Sequence, residues 1–206
     1  MALTPGQAEP KQARAHATRQ RLLDAAVDEL LDRGYAGLTT PGVALRAGVS
    51  RGAQQHYFPH KTSLVIAAVR HLAARQLADL RDKLADVPEG YQRVSAGLDV
   101  LFEQCSGRLF AALVELSLAS RADPELREVI TAEERNIADT MRATATVIFG
   151  EGFPATREEA RRWGTVLSAV RGLALLKLLG HSDASIDRQW QASREHLLEL
   201  LGDRHR

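Results

Sequence analysis

Apolar residues recur every three or four positions along most of the chain, which is the spacing of helices that bury one face. The clearest stretch precedes Gly34 and carries Leu22, Leu23, Ala26, Val27, Leu30 and Leu31. The same periodicity predicts further helices over residues 62–84, 91–104, 107–121, 124–148, 156–179 and 185–201. The alternation typical of strands does not persist, and the chain has no internal repeat. The pattern therefore predicts an all-α protein.

Residues 39–61 combine the start and stop signals of two short helices. Thr39 is a good N-cap, and Pro41 falls in the first turn, where its missing N–H costs little. Gly48 can take the left-handed conformation that ends the first helix, and Ser50 caps the second. Pro59 then ends the second helix, because the residue before a proline avoids helical geometry.

A plain helical hairpin inside a bundle would also contain a glycine turn. Two further residues favour a helix-turn-helix instead, since Ala44 is small enough for a second helix to cross closely and Val49 fills the space beneath the turn. In that motif the second helix enters the major groove of DNA. The sequence therefore predicts a DNA-binding head near the N terminus and a larger helical body after it.

The same region resembles the N-terminal signature of the tetracycline-repressor (TetR) family. The matching positions are Gly34-Tyr35, Thr39, Ala44, Ala47–Ala53 and His56–Leu64. The resemblance implies a homodimeric, Ω-shaped, all-helical repressor that binds a palindromic operator in double-stranded DNA. It also implies release from DNA when a small-molecule effector, which the sequence does not identify, occupies the C-terminal domain. The alternative is a dimeric DNA-binding regulator, repressor or activator, without an inducer.

Domain boundaries follow from the same elements. We expect a disordered tail over residues 1–10, because it contains two prolines and a glycine. The three-helix DNA-binding domain is predicted over residues 11–61. The ligand-binding and dimerisation domain is predicted over residues 62–206.

Correspondence with the family assigns the DNA contacts of the second helix. The predicted base-reading residues are Arg51, Gly52, Ala53 and one of the pair Gln54 and Gln55. The predicted phosphate contacts are His56, Tyr57 and Lys61, with Thr39 or Thr40 at a helix N terminus and Ser50 as the cap of the reading helix. Arginine pairs with guanine, and glutamine with adenine, through two hydrogen bonds each.

The sequence departs from the family at Gln54 and Gln55 and also at Pro41. Many relatives have an apolar residue where Gln54 stands and a tyrosine where Gln55 stands, so which glutamine reads bases stays open. Pro41 replaces side chains that reach a base in some members. Tyr57 is also a candidate for partial burial in the core, and Lys61 for a solvated start of the next helix.

Composition and charge fit a globular DNA-binding protein. Residues 1–64 hold eight Lys and Arg against five acids, a net charge of +3, and the other residues hold 19 against 21, a net charge of −2. A mildly basic head favours contact with phosphates. No apolar run is long enough to cross a bilayer and no leader peptide opens the chain, so we expect a cytoplasmic protein without membrane contact. The single cysteine, Cys105, excludes an internal disulfide framework and a multi-cysteine zinc site.

The C-terminal helices are predicted to form the dimer interface. Residues 163–179 are apolar on nearly every side, which requires burial on more than one side. Gly164, Ser168 and Gly172 form a ridge of small residues that allows close approach of a second helix. The last helix adds Ile186, Trp190, Leu197, Leu198 and Leu201. The alternative is one large core within a single chain.

Polar residues that interrupt the apolar helices of the body are the candidates for effector binding, since a few polar groups in an apolar cavity orient a ligand. The predicted set is Phe102, Cys105, Arg108, Leu109, Glu115 and Arg171. An apolar or amphipathic effector is favoured, with Arg108 or Arg171 for an anionic end. Two structural alternatives remain, an ion pair between Glu115 and Arg171 and ordinary core packing of Cys105.

Enzyme signatures are missing from the sequence. It has no Glu-x-x-His pair for a carboxylate metal centre, no glycine-rich phosphate loop and no His-Glu-x-x-His. We therefore predict no catalytic residue, no metal and no cofactor.

Overall fold

The computed structural model describes residues 8–202, apart from the side chains of residues 8–11, 134 and 137. Over these residues the chain forms ten helices and no strand, which confirms the all-α prediction. The helices are α1 (Ala8–Gly37), α2 (Thr40–Ala47), α3 (Arg51–Tyr57), α4 (Lys61–Leu84), α5 (Tyr91–Cys105), α6 (Arg108–Ala119), α7 (Pro124–Ala132), α8 (Glu134–Phe149), α9 (Arg157–Leu178) and α10 (Asp183–Leu201).

Two boundaries differ from those expected. The helix predicted over residues 124–148 is two helices, because the chain turns at Glu133, whose ψ of −6° departs from the helical value. The apolar periodicity continues through this turn and does not reveal it. Of the predicted disordered tail, residues 1–7 lie outside the described residues, whereas residues 8–10 begin α1, since a proline at position 10 is tolerated in a first helical turn.

The described helices form two compact units, each with its own core. The first unit comprises the chain up to Leu72 together with Ala112–Ile130, and the second comprises Ala73–Ala111 and the chain from Thr131 onward. The first unit thus includes most of α6 and α7 besides the helix-turn-helix. The domain boundary at residue 61 stays a prediction.

The first core joins α1 to its neighbours through fully buried aliphatic side chains. Its members include Leu22, Leu23, Leu30, Leu38, Val43, Leu64, Val65, Leu116 and Leu126. The apolar stripe predicted for α1 is therefore the face that α2 and α4 cover. This packing sets the orientation of the short helices that follow α1.

The second core is built from α4, α5, α8, α9 and α10. Trp190 stacks on Phe102 with ring centroids 4.4 Å apart, and its indole N–H donates to Asp99 at 3.3 Å. Arg194 holds the same carboxylate through two contacts of 2.7 Å. The predicted apolar residues of α10, from Ile186 to Leu201, are all buried within this one chain. They are therefore not the open dimer surface that the sequence suggested.

Candidate nucleic-acid interface

The helix-turn-helix forms through the caps that the sequence predicts. The Thr39 hydroxyl accepts from the N–H of Gly42 at 3.1 Å, and the Ser50 hydroxyl accepts from the N–H of Ala53 at 3.2 Å. Gly48 has a φ of 62°, the left-handed conformation expected at the end of α2. These hydrogen bonds fix where α3 begins and which of its side chains face outward.

Helix α3 exposes Arg51, Gly52, Gln55 and His56. Beyond the backbone of α3 itself, no described atom lies within 4 Å of the position that a side-chain carbon at Gly52 would occupy, so the helix surface is open there. Ala53 and Tyr57 are half-buried, and Tyr57 packs against the first core. The exposed stripe is therefore an arginine and a glutamine four residues apart, with a histidine beside them.

Gln54 is withdrawn from this surface. Its side chain is buried, with the residue 3% exposed, and its amide N–H donates to the carbonyl oxygen of Phe58 at 2.6 Å. That hydrogen bond satisfies a carbonyl at the end of α3, where the helix offers it no partner. The inclusion of Gln54 among the DNA contacts is therefore wrong for its side chain, and Gln55 is the glutamine that faces outward.

A buried carboxylate that was not predicted from the sequence ties α2 to α1. Glu29 has a side chain 4% exposed and contacts Arg46 at 2.9 Å and Arg33 at 3.2 Å. Arg46 also contacts Asp32 at 2.7 Å, and this hydrogen bond is the largest cause of the raised pKa of Arg46. The signal in the sequence was a glutamate within the apolar stripe of α1. The cluster fixes the angle at which α2 leaves α1.

Lys61 lies at the start of α4 with its ammonium 4.2 Å from the centroid of the Tyr35 ring. Burial lowers the pKa of Lys61, and the charge of Asp123 opposes that effect. Lys61 is thus a partly desolvated cation held beside an aromatic ring. Tyr35 was not among the predicted contacts.

Comparison with known proteins places this geometry in a family. A family model described as "Bacterial regulatory proteins, tetR family" matches residues 22–68, the segment that contains the helix-turn-helix. The HTH-type transcriptional regulator CymR of Pseudomonas putida is 31% identical over 193 residues, which cover 93% of each chain. The chain belongs to the tetR family of bacterial regulatory proteins.

Solved structures share the fold. A TetR-family regulator from a Rhodococcus species aligns with a TM-score of 0.64 at 22% identity, over 89% of this chain and 96% of that one. The multidrug binding protein EbrR, solved in complex with ethidium, aligns with a TM-score of 0.56 at 25% identity, over 89% and 97%. The predictions of a DNA-binding transcriptional regulator and of a protein that is not an enzyme are confirmed by this membership.

The candidate effector residues of this TetR protein divide between the two units. In the second unit, Arg171 donates to the Met141 sulfur at 3.4 Å and its charge acts on Cys105. Phe102 stacks on Trp190, Leu109 is half-buried and Arg108 is exposed. Glu115 belongs to the first unit, where it accepts from the backbone N–H of Tyr35 at 2.9 Å. Glu115 and Arg171 therefore have different partners, Tyr35 and Met141, in place of the ion pair considered from the sequence.

Arg171 has a property that suits an anionic ligand. Among the described residues its only hydrogen bond is to a thioether, which is a weak acceptor, and no carboxylate pairs with it. A half-buried guanidinium carries five N–H donors, so the described residues leave most of its hydrogen-bonding capacity unused.

Cys105 is expected to react slowly in the native protein. Burial raises the pKa of this thiol from 9.0 to about 11, with Arg171 opposing the shift. At pH 8, below both values, the thiolate fraction of the native protein is roughly a hundredfold smaller than that of the unfolded protein, because each pKa unit is a factor of ten. The thiolate is the nucleophile, so alkylation slows in proportion. Iodoacetamide labelling at pH 8, native against urea-unfolded, measures this. Equal rates in the two states would contradict it, and the single cysteine makes the adduct unambiguous.

The outer face of α9 is open in the single chain. Trp163, Val166, Leu167, Val170 and Ala174 are buried inward. On the other side a surface that we call the α9 ridge carries Gly164, Ser168, Gly172, Leu175, Leu178 and Leu179, all exposed, with Leu179 at 69%. Beyond the backbone of α9 itself, a side-chain carbon at Gly164 or Gly172 would have no described atom within 4 Å.

No described helix is long and apolar enough to span a membrane.

Proposed function

We propose that this TetR-family regulator is a homodimeric repressor that binds a palindromic operator and leaves it when a small amphipathic molecule binds to the second unit. The observation that carries the proposal is α3 itself. It is capped by Ser50, exposes Arg51 and Gln55, and is preceded by the glycine turn of the helix-turn-helix. A bacterial DNA-binding regulator acts on the chromosome, so the proposal includes a cytoplasmic location for this protein.

Base reading is assigned to the exposed side chains of α3. Arg51 donates two hydrogen bonds to a guanine, and Gln55 pairs with an adenine. Gly52 and Ala53 let the helix approach the bases because they carry little or no side chain. Phosphate contacts are assigned to His56, Tyr57, Lys61, Thr40, Thr39 and Ser50. The hydroxyls of Thr39 and Ser50 also cap helices.

Dimerisation is assigned to the α9 ridge. Small residues at Gly164, Ser168 and Gly172 let a second helix come close, and the exposed leucines of the ridge become buried in the dimer. A two-fold interface presents the same surface from both chains, which suits a self-complementary ridge. A palindromic operator follows from that symmetry.

Effector binding is assigned to the second unit, at Arg171 with Phe102, Cys105 and Leu109. The ethidium complex of EbrR supports small-molecule binding in this fold. The Arg171 donors that no described residue accepts from favour a ligand with a carboxylate or similar anion at one end and an apolar body. Arg108, which is exposed, is the second candidate for the anion.

Titration of operator-bound protein tests this assignment. With a panel of hydrophobic acids and matched neutral lipophiles, we expect an acid to lower operator affinity about a hundredfold, which requires a differential binding free energy of about 2.7 kcal/mol. Arg171→Leu should remove the response to acids, whereas Arg161→Ala, an exposed arginine on the same helix, should leave it unchanged. Release by neutral compounds alone would assign the site to apolar ligands. Release by none would favour the regulator without an inducer.

A further inference from the structure

Tyr35 occupies an unusual position at the end of α1. Gly34, with a φ of 66°, turns the chain out of the helix, and Tyr35 follows with only 8% of its surface exposed. The turn frees its backbone N–H from the helix. That N–H donates to the Glu115 carboxylate at 2.9 Å, although the two residues are 80 positions apart. A residue of α6 therefore holds the backbone at this turn.

Gly34 makes the approach of Glu115 possible. A side-chain carbon at position 34 would lie 2.8 Å from Glu115 Oε1, which is too close for any other residue without a shift. The positive φ already favours glycine there. The Glu115 carboxylate thus packs against Gly34 and also accepts the hydrogen bond from the N–H of Tyr35.

The other side of Tyr35 contacts the first turn of α4. Its hydroxyl lies 3.1 Å from the Thr62 hydroxyl, and the Lys61 ammonium lies 4.2 Å from its ring centroid. A cation within about 6 Å of an aromatic centroid is attracted to the ring face. Tyr35 is therefore joined to α6 by its backbone and to α4 by its ring and hydroxyl.

We propose that Tyr35 and Glu115 are positioning residues of the DNA interface: Glu115 fixes Tyr35, and the ring of Tyr35 holds the Lys61 ammonium in place for a phosphate. This inference rests on the proposed phosphate contact of Lys61. A free lysine side chain loses much conformational entropy when it binds. A lysine held in advance on a ring loses less, so binding is tighter. Glu115 then acts on DNA binding without touching DNA.

The test compares operator affinity over a range of salt concentrations for five variants of the full chain. Lys61→Ala should lower the salt slope by about 0.9 for each phosphate that the variant no longer neutralises. Tyr35→Leu should lower the slope in the same direction, and adding Lys61→Ala to it should lower the slope no further. Tyr35→Phe keeps the ring and should retain the slope. Tyr91→Leu, which removes an exposed tyrosine of the second unit, is the control.

Glu115 is tested by a conservative pair. Glu115→Gln keeps an oxygen that accepts from the Tyr35 N–H, and we expect it to retain most of the operator affinity. Glu115→Ala removes that acceptor, and we expect about a threefold to tenfold loss. Glu128→Ala, at an exposed glutamate of the same unit, controls for loss of a negative charge.

A measurement without DNA keeps the inference testable if Tyr35→Leu does not fold. The Cε protons of Lys61 should show an upfield ring-current shift in the NMR spectrum of the wild-type protein and of Glu115→Gln. The shift should shrink in Glu115→Ala. Random-coil values in the wild type would overturn the inference.

The phosphate contact of Lys61 and the positioning role of Tyr35 and Glu115 can fail separately. An unchanged salt slope in Lys61→Ala would show that Lys61 does not contact a phosphate, which contradicts part of the proposed function. A lowered slope in Lys61→Ala, combined with additive effects of Tyr35→Leu, would overturn only the positioning role.

Discussion

Replacing Gly164 and Gly172 together by arginine is expected to convert the dimer into monomers and to lower operator affinity by about a hundredfold or more. The loss is large because two linked heads bind a two-part operator with the benefit of effective concentration, and a single head does not. The α9 ridge is the surface that both substitutions occupy. Burying two unpaired arginines per chain in this apolar interface would destabilise the dimer by more than the burial of the leucines stabilises it.

The protomer itself should tolerate this change. Beyond the backbone of α9 itself, no described atom lies within 4 Å of the first side-chain carbon at either position, so each new side chain starts in open space. Molar mass from light scattering gives the oligomeric state, and far-UV circular dichroism confirms that the helices remain. Gln92→Arg, at an exposed position of α5, adds one arginine away from the ridge and should leave the dimer intact. A double variant that stays dimeric would show that the α9 ridge is not the dimer interface.

Arg51→Ala is expected to cost about 1–3 kcal/mol for each half-site and to relax the preference at one base pair of that half-site. Both effects follow from the loss of two hydrogen bonds to one guanine. Binding competitions among operators that vary one base pair at a time measure the preference directly. Because the side chain is exposed, the folded head should be unaffected.

Arg51→Lys is the matched control for charge. It keeps the positive charge and so most of the salt dependence, but it cannot reproduce the paired hydrogen bonds of the guanidinium. We expect it to lose base preference nearly as fully as alanine while keeping more affinity. Unchanged base preference in both variants would show that Arg51 does not read a base.

Local signals in the sequence were sufficient for the helix-turn-helix. Thr39, Ser50 and Gly48 act through hydrogen bonds and backbone conformations that reach at most a few residues, and the structure shows each of them as predicted. The capping box of Thr156 and Glu159 at the start of α9 is an equally local feature of the structure. Because the motif depends on such short-range effects, the sequence alone predicts it.

Long-range packing explains what the sequence did not predict. Gln54 and Gln55 are neighbours of the same type, and only the position of the core beneath α3 decides that Gln54 is buried. Glu115 is an isolated acid on an apolar helix, and its partner lies 80 residues away. The apolar face of α10 was compatible with either a dimer interface or a core. Tertiary structure decides these alternatives, and no local rule contains it.

Selection of bound fragments from random DNA by the full-length protein is the most direct test of symmetric operator binding. We predict enrichment of a palindrome whose two half-sites are separated by one helical turn, about 34–36 Å, or somewhat more, with protection of both halves in a footprint. Arg51→Ala should blur one position in each half and leave the spacing unchanged. Enrichment of asymmetric sites, or of no sequence at all, would contradict a symmetric DNA-binding dimer.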